Sequence, residues 1–344
     1  MVSPVNSFKA AAIMASPVFL DREKTTKKAC NLIADAGKNG ADLIVFPEVY
    51  IPAYPYWIWL GSPTWGAPFF AELYKNAVEI PSLTTEAIGE AAKKAGAYVV
   101  MGLNEREKDT LYNTLLYFDR EGKIIGKHRK LQPTHSERTI WGRGDGSDLV
   151  VMNTDIGRLG GLICWEHTMD LVSYAMLAMG EQIHVAVWPG ISSMTHSPHA
   201  GFFNNVTEAA ARHYAWAGQV FVINVQLVND EYMIDRLGLK GKPDMIKPGG
   251  GWSAIINPHG QIIAGPNTDK ENIVYADINM EEIVFAKLFC DCVGHYARPD
   301  VVRLEVNREK QTVMVPRTIS EMPAMIDDRP AEIKHRRKSG KKKA

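Results

Sequence analysis

Apolar positions along this chain follow two alternating periods. Phe8 to Met14 reads as a strand, and Asp21 to Gly37 follows with Ala29, Ile33 and Ala36 on one helical face behind Asp21, a plausible cap. Leu43 to Phe46 predicts a short buried strand stopped by Pro47. Thr85 to Ala95 is helical in spacing through Ile88, Ala91, Ala92 and Ala95, and Tyr98 to Met101 is the next strand. Leu111 to Phe118 and Lys123 to His128 flank Asp119-Arg120-Glu121-Gly122, a hairpin signal.

The second half repeats that order. Arg158 to Ile163 predicts a strand, Met169 to Met179 a helix, and Val185 to Trp188 a strand stopped by Pro189. Thr207 to Ala217 predicts a helix and Val220 to Val225 a strand, and a hairpin joins Trp252 to Ile256 with Gln261 to Ala264. Even the stops match: Val45-Phe46-Pro47-Glu48 against Val187-Trp188-Pro189-Gly190. A duplicated strand–helix order implies two similar α/β halves, each a sheet with helices on one face. Packing the bare sheet faces together yields a four-layer α-β-β-α sandwich with two pseudo-symmetric halves. A single doubly wound sheet competes, but no Gly-rich phosphate loop follows the first strand. The expected layout is a body over 6–281, a C-terminal segment over 282–316 that meets other subunits, and a disordered basic tail over 317–344.

Composition narrows the class. The chain has 344 residues, 46% hydrophobic and 23% charged, enough to bury a large core. No run approaches the ~18 apolar residues of a membrane helix. Met1 to Ala15 lacks a charged start followed by a long apolar run, so no signal peptide is expected and a cytoplasmic location is inferred. The four cysteines, Cys30, Cys164, Cys290 and Cys292, do not make a disulfide framework. Cys290 and Cys292 read as helix-end packing, and His196, His199 and His213 lack a compact ligand pattern, so no metal is expected. Lys334 to Ala344 holds seven Lys or Arg, leaving an acidic body that argues against nucleic-acid binding.

Three segments place unusual residues at strand ends: Phe46-Pro47-Glu48, the run Gly126 to Leu131, and Gly160 to His167 around Cys164. A cysteine is a strong nucleophile only as a thiolate and needs a nearby base or positive charge. Glu48 can take the thiol proton, and Lys130 can stabilise negative charge building on a substrate heteroatom. Taken singly, Cys164 fits core packing, Glu48 a turn cap and Lys130 a solvated basic run.

Together these segments resemble the nitrilase superfamily of carbon–nitrogen hydrolases, whose active site is a Glu-Lys-Cys triad. KHRKLQPTHSERTIWGRGDG at 127–146 and CWEH at 164–167 resemble its nitrilase branch, and the likeness continues through Trp188-Pro189 and Gly294 to Asp300. The resemblance spans about Phe8 to Val306. It implies Glu48 as general base, Lys130 as charge stabiliser and Cys164 as nucleophile, with Glu137 positioning Lys130 and substrate. One departure is Ala53 before Tyr54, where nitrilases often have Gly.

The resemblance implies hydrolysis of an organic nitrile to acid and ammonia through a thioimidate and a thioester, with no cofactor. A cyanide hydratase or dihydratase, or an aliphatic amidase or carbamoyl hydrolase with the same triad, are the near rivals; a catalytically silent scaffold would not need all three groups. Tyr54, Trp165 and Trp188 are candidate pocket residues, equally compatible with core packing, and favour aromatic or arylaliphatic substrates. Trp57, Trp59 and Trp65 lie in an aromatic insertion too apolar for a free loop, which covers the pocket or meets another subunit. Homo-oligomers, often spirals, are implied.

Overall fold

A computed structural model describes residues 6–196 and 202–314. The described residues up to Lys310 form one compact unit. The basic tail expected over 317–344 and His199 lie outside the described residues.

The chain builds two six-stranded sheets, one drawn mainly from each half. In the first sheet β1 (Ser7–Met14), β2 (Leu43–Val45) and β3 (Tyr98–Glu107) run parallel, and β4 (Thr110–Phe118) and β5 (Ile124–Arg129) continue antiparallel. In the second, β7 (Gly157–Ile163), β8 (Ile183–Trp188) and β9 (Phe221–Gln226) are parallel, followed by β10 (Trp252–Ile256) and β11 (Ile262–Thr268). The parallel strands are almost entirely buried, because helices cover one face and the other sheet covers the other. β1 packs on β9 and β10 of the opposite sheet, and one apolar cluster joins Ile13 and Val45 to Val187 and Ile223. This is the expected α-β-β-α sandwich.

Two strands escaped the sequence reading, and they complete the symmetry. β6 (Met152–Thr154) pairs antiparallel with β7. Its counterpart beside β1 is β12 (Asn272–Asn279), which follows the second half in sequence yet crosses to the first sheet. β12 was not seen because its outward positions are polar and only Val274 and Ile278 are fully buried.

The helices begin where local chemistry predicts. The Asp21 carboxylate accepts from Lys24 N at 2.9 Å and starts α1 (Arg22–Lys38). α4 (Leu83–Ala95) ends on Gly96 at φ 64°, a left-handed cap that favours glycine. α1 packs on α4 outside the first sheet, and α5 (Asp170–Ala178) on α6 (Phe203–Gly218) outside the second. The aromatic insertion folds as α2 (Trp57–Leu60) and α3 (Pro63–Asn76), with Ser62 capping α3 ahead of Pro63. α7 (Glu231–Arg236) and α8 (Glu281–Phe289) are further helices. No helix among the described residues is long and apolar enough to cross a membrane.

β3 runs to Glu107 rather than stopping at Met101, through the polar run Asn104-Glu105-Arg106-Glu107. Glu105 and Asn104 are buried in the strand, held by Arg129 and by the Trp141 indole. Tertiary partners there override local propensity.

Candidate active site

Three strand ends converge. After β2, Phe46 keeps pairing to β3 through its N–H, then Pro47 ends the ladder and Glu48 turns inward, fully buried. Gly102 permits that turn, since a Cβ there would overlap the Pro47 carbonyl. Lys130 follows β5 and is anchored by its own N–H, which donates to Asn113 O on β4 at 2.8 Å. Cys164 ends β7 at φ 55°, a left-handed conformation unusual for a side-chain-bearing residue, and opens a short 3-10 turn through Thr168.

The Lys130 ammonium donates to Glu48 Oε1 at 3.0 Å and to Glu137 Oε2 at 2.7 Å, all three side chains being buried. The carboxylates of Glu48 and Glu137 and the Cys164 sulfur lie within 4.8 Å of one another. Such a set could hold a metal, but Lys130 already places a cation in contact with both carboxylates. Glu137 also accepts from Tyr54 OH at 2.8 Å and Thr134 N at 2.7 Å. Tyr54 in turn accepts from the Trp59 indole at 2.9 Å. Asn113 Nδ2 donates to Glu48 Oε1 at 2.6 Å, while Glu48 Oε2 is buried with no hydrogen-bond partner.

Burial pushes Glu48 up to about 7, with Lys130 working against it and Glu137 with it. Burial opposes the charge on Lys130, but Glu137 and Glu48 outweigh it and hold the ammonium well above its ordinary range. Burial and Glu48 push the Cys164 thiol well up despite Lys130. The sulfur therefore rests as a thiol beside a carboxylate able to take its proton near neutral pH.

A cavity of about 390 Å³ opens on the sulfur. Tyr54, Trp59, Trp165, Met194 and Phe203 line it, with Glu137 and Cys164 at its polar end. Trp188 does not line it. That indole is fully buried, donates to Asn224 Oδ1 at 2.8 Å and stacks on His167. Of the three aromatic pocket candidates, Tyr54 and Trp165 thus face the cavity and Trp188 lies behind it. His196 bonds the carbonyls of Met245 and Trp59, and Asp300 pairs with Arg298.

Two further residues brace the site. Asn113 holds both Glu48 and the Lys130 backbone; its signal was a lone amide inside the apolar strand Leu111 to Phe118. Glu166 accepts from Leu131 N at 2.7 Å, Ile163 N at 2.7 Å and His128 Nε2 at 2.9 Å, tying the Lys130 strand end to the Cys164 strand end. No single-sequence signal separates Glu166 from an exposed turn glutamate.

The profile of the carbon–nitrogen hydrolases matches residues 9–287. An aliphatic nitrilase of Rhodococcus rhodochrous is 42% identical, covering 91% of this chain and 86% of its own. The chain belongs to the carbon–nitrogen hydrolase family, among the nitrilases. A nitrilase of Bacillus sp. (strain OxB-1) is 41% identical, covering 88% of this chain and 89% of its own. In structure, the carbon–nitrogen hydrolase of Helicobacter pylori G27 superposes with a TM-score of 0.69 at 22% identity, over 86% of this chain and 96% of that one. That likeness supports the fold.

Proposed function

We propose that this nitrilase converts an organic nitrile to the carboxylic acid and ammonia, with Cys164 as nucleophile, Glu48 as base, Lys130 as charge stabiliser and Glu137 as the group that positions Lys130. The observation that carries the reading is the asymmetry of Glu48. Lys130 and Asn113 occupy Oε1, while Oε2 is desolvated and unpaired, on a carboxylate that lies near the sulfur. A free, buried carboxylate oxygen beside a thiol is a proton acceptor in waiting.

In this scheme Glu48 takes the thiol proton as sulfur attacks the nitrile carbon. The Lys130 ammonium lies against the charge growing on nitrogen, and that proton passes to nitrogen, leaving a thioimidate. Water, deprotonated by Glu48, adds to it; the C–N bond breaks and ammonia departs, leaving a thioester. A second water releases the acid and restores the thiol. Two waters are consumed, and no cofactor enters the balance.

The cavity supports a neutral, apolar substrate. Its volume falls within the roughly 300–1,000 Å³ of small-molecule pockets, far more than cyanide would fill. The rings of Trp59, Trp165 and Phe203 suit an aromatic or arylaliphatic group. Turnover of benzonitrile, phenylacetonitrile, an aliphatic nitrile, cyanide and the matching amides, with acid, amide and ammonia quantified, tests this. Preferred turnover of the amides or of cyanide would overturn it.

Assembly into homo-oligomers, including open spirals, rests on exposed apolar surface. In α8, Val284, Phe285, Leu288 and Phe289 are each at least 63% exposed, more than an isolated helix face tolerates in water. The segment 282–316 is the proposed contact region. A monomer in size-exclusion light scattering would refute this. The four free cysteines, a nucleophilic thiol among them, suit a reducing compartment and support a cytoplasmic location.

A further inference from the structure

A second buried polar chain ends on Cys164, and none of its members lines the cavity. His167 Nδ1 lies 2.7 Å from the Cys164 carbonyl, and its Nε2 lies 2.9 Å from His184 Nε2. His184 Nδ1 lies 2.9 Å from Glu181 Oε1, and Tyr214 OH donates to Glu181 Oε2 at 2.6 Å. Tyr214 stacks on the His184 ring, with centroids 3.7 Å apart, and Trp188 stacks on His167. All four residues are buried.

We propose that Glu181, His184 and His167 form a positioning relay for the Cys164 main chain, holding three protons among two imidazoles and one carboxylate. The count follows from the contacts. A carbonyl only accepts, so His167 Nδ1 must carry a proton. The two facing Nε2 atoms need one proton between them, and His184 Nδ1 with Glu181 Oε1 needs another. Two neutral imidazoles supply only two. The third proton makes the set electrically neutral overall, which a buried site favours over a lone carboxylate. Burial and His184 push His167 down to about 3, which favours its neutral form.

The relay acts where the backbone is strained. Cys164 sits at φ 55°, and its carbonyl orientation helps set where the sulfur points. A hydrogen bond on that carbonyl, with its donor fixed by a tautomer two contacts away, holds the turn in place. Gly160 leaves room for this arrangement, because a Cβ there would collide with Glu181 Oε1.

Glu181→Leu and Glu181→Gln separate a relay from packing. Glutamine can accept from Tyr214 and donate to His184 Nδ1, completing the chain with two neutral imidazoles; leucine cannot. Glu181→Leu is expected to lower kcat on the best nitrile substrate, and the rate of Cys164 alkylation by iodoacetamide, about tenfold or more at unchanged KM. Glu181→Gln should restore both. Alkylation needs no nitrile, so this arm stands apart from the substrate assignment. In the unmodified protein, imidazole ¹⁵N NMR should show His167 protonated at Nδ1, and this arm decides if Glu181→Leu does not fold. Wild-type alkylation in folded Glu181→Leu, equal damage in Glu181→Gln, or a His167 proton on Nε2 instead would each overturn the relay.

Discussion

Lys127, Arg129 and Lys130 stand within four residues of one another, yet they serve two carboxylate clusters of opposite character. Glu105 accepts from Arg129 Nε and Nη2, from Lys127 Nζ and from Thr114 Oγ1, so both oxygens are filled. Burial raises its pKa, but Arg129 and Lys127 outweigh it and hold the group below the ordinary carboxylate range. Glu48 is as buried, but its donors crowd onto one oxygen and burial wins, pushing it up to about 7. A saturated carboxylate is a strut; one with an empty oxygen in a dry pocket is a base.

The sharpest way to break this contrast is to neutralise each carboxylate. Glu48→Gln should lower kcat by about 10²–10⁴, the usual range for losing a general base, and slow Cys164 alkylation. Glu105→Gln should leave kcat near wild type but cost about 1–3 kcal/mol in a denaturant melt. Equal kinetic damage from both would erase the distinction. Cys164→Ala should abolish turnover altogether, and Lys130→Arg should not rescue it, since a planar guanidinium cannot reproduce the ammonium's paired contacts.

The pH profile sharpens the same point. As the proposed base, Glu48 can act only when ionised, so with its pKa raised to about 7, kcat/KM should fall about tenfold per pH unit below about 7. Glu105, shifted the other way, contributes no inflection there. An acid limb near the ordinary glutamate value would show that Glu48 is not the titrating base.

Smaller effects come from the supports. The Asn113 N–H favours ionised Glu48, so Asn113→Leu should move the acid limb to higher pH and lower kcat about tenfold. An unmoved limb would remove Asn113 from the site. Trp59→Phe removes the donor to Tyr54 and shrinks a ring that lines the cavity, and should cost about three- to tenfold in kcat/KM. Loss comparable to Glu48→Gln would place Trp59 in the chemistry rather than at its edge.

Much of the architecture was legible because periodicity reports burial directly. The paired strand–helix order disclosed the duplication, and Asp21 disclosed a helix start. β12 and the end of β3 were not legible. The first has a half-wet pattern, and the second buries charges that only partners from β5 make affordable. In the site, Glu48, Lys130, Glu137 and Cys164 could be named from motif resemblance, and Tyr54 and Trp165 from their places beside it. Trp188 looked equivalent, yet it stacks on the His167 ring and does not line the cavity.

By itself, then, the sequence determined which groups could react: a cysteine, a glutamate and a lysine at strand ends of a duplicated α/β plan. Residue type and local period are properties of short segments, so they survive without a third dimension. Only the tertiary structure decided how KHRK divides. Lys127 and Arg129 clamp Glu105, His128 meets Glu166, and Lys130, one residue past β5, enters the buried cluster. Those assignments depend on pleat direction and on carboxylates that, Glu137 apart, stand 22 to 82 positions away in sequence. Charge, burial and the number of donors on each oxygen are set by those distant partners, and they separate a base from a strut.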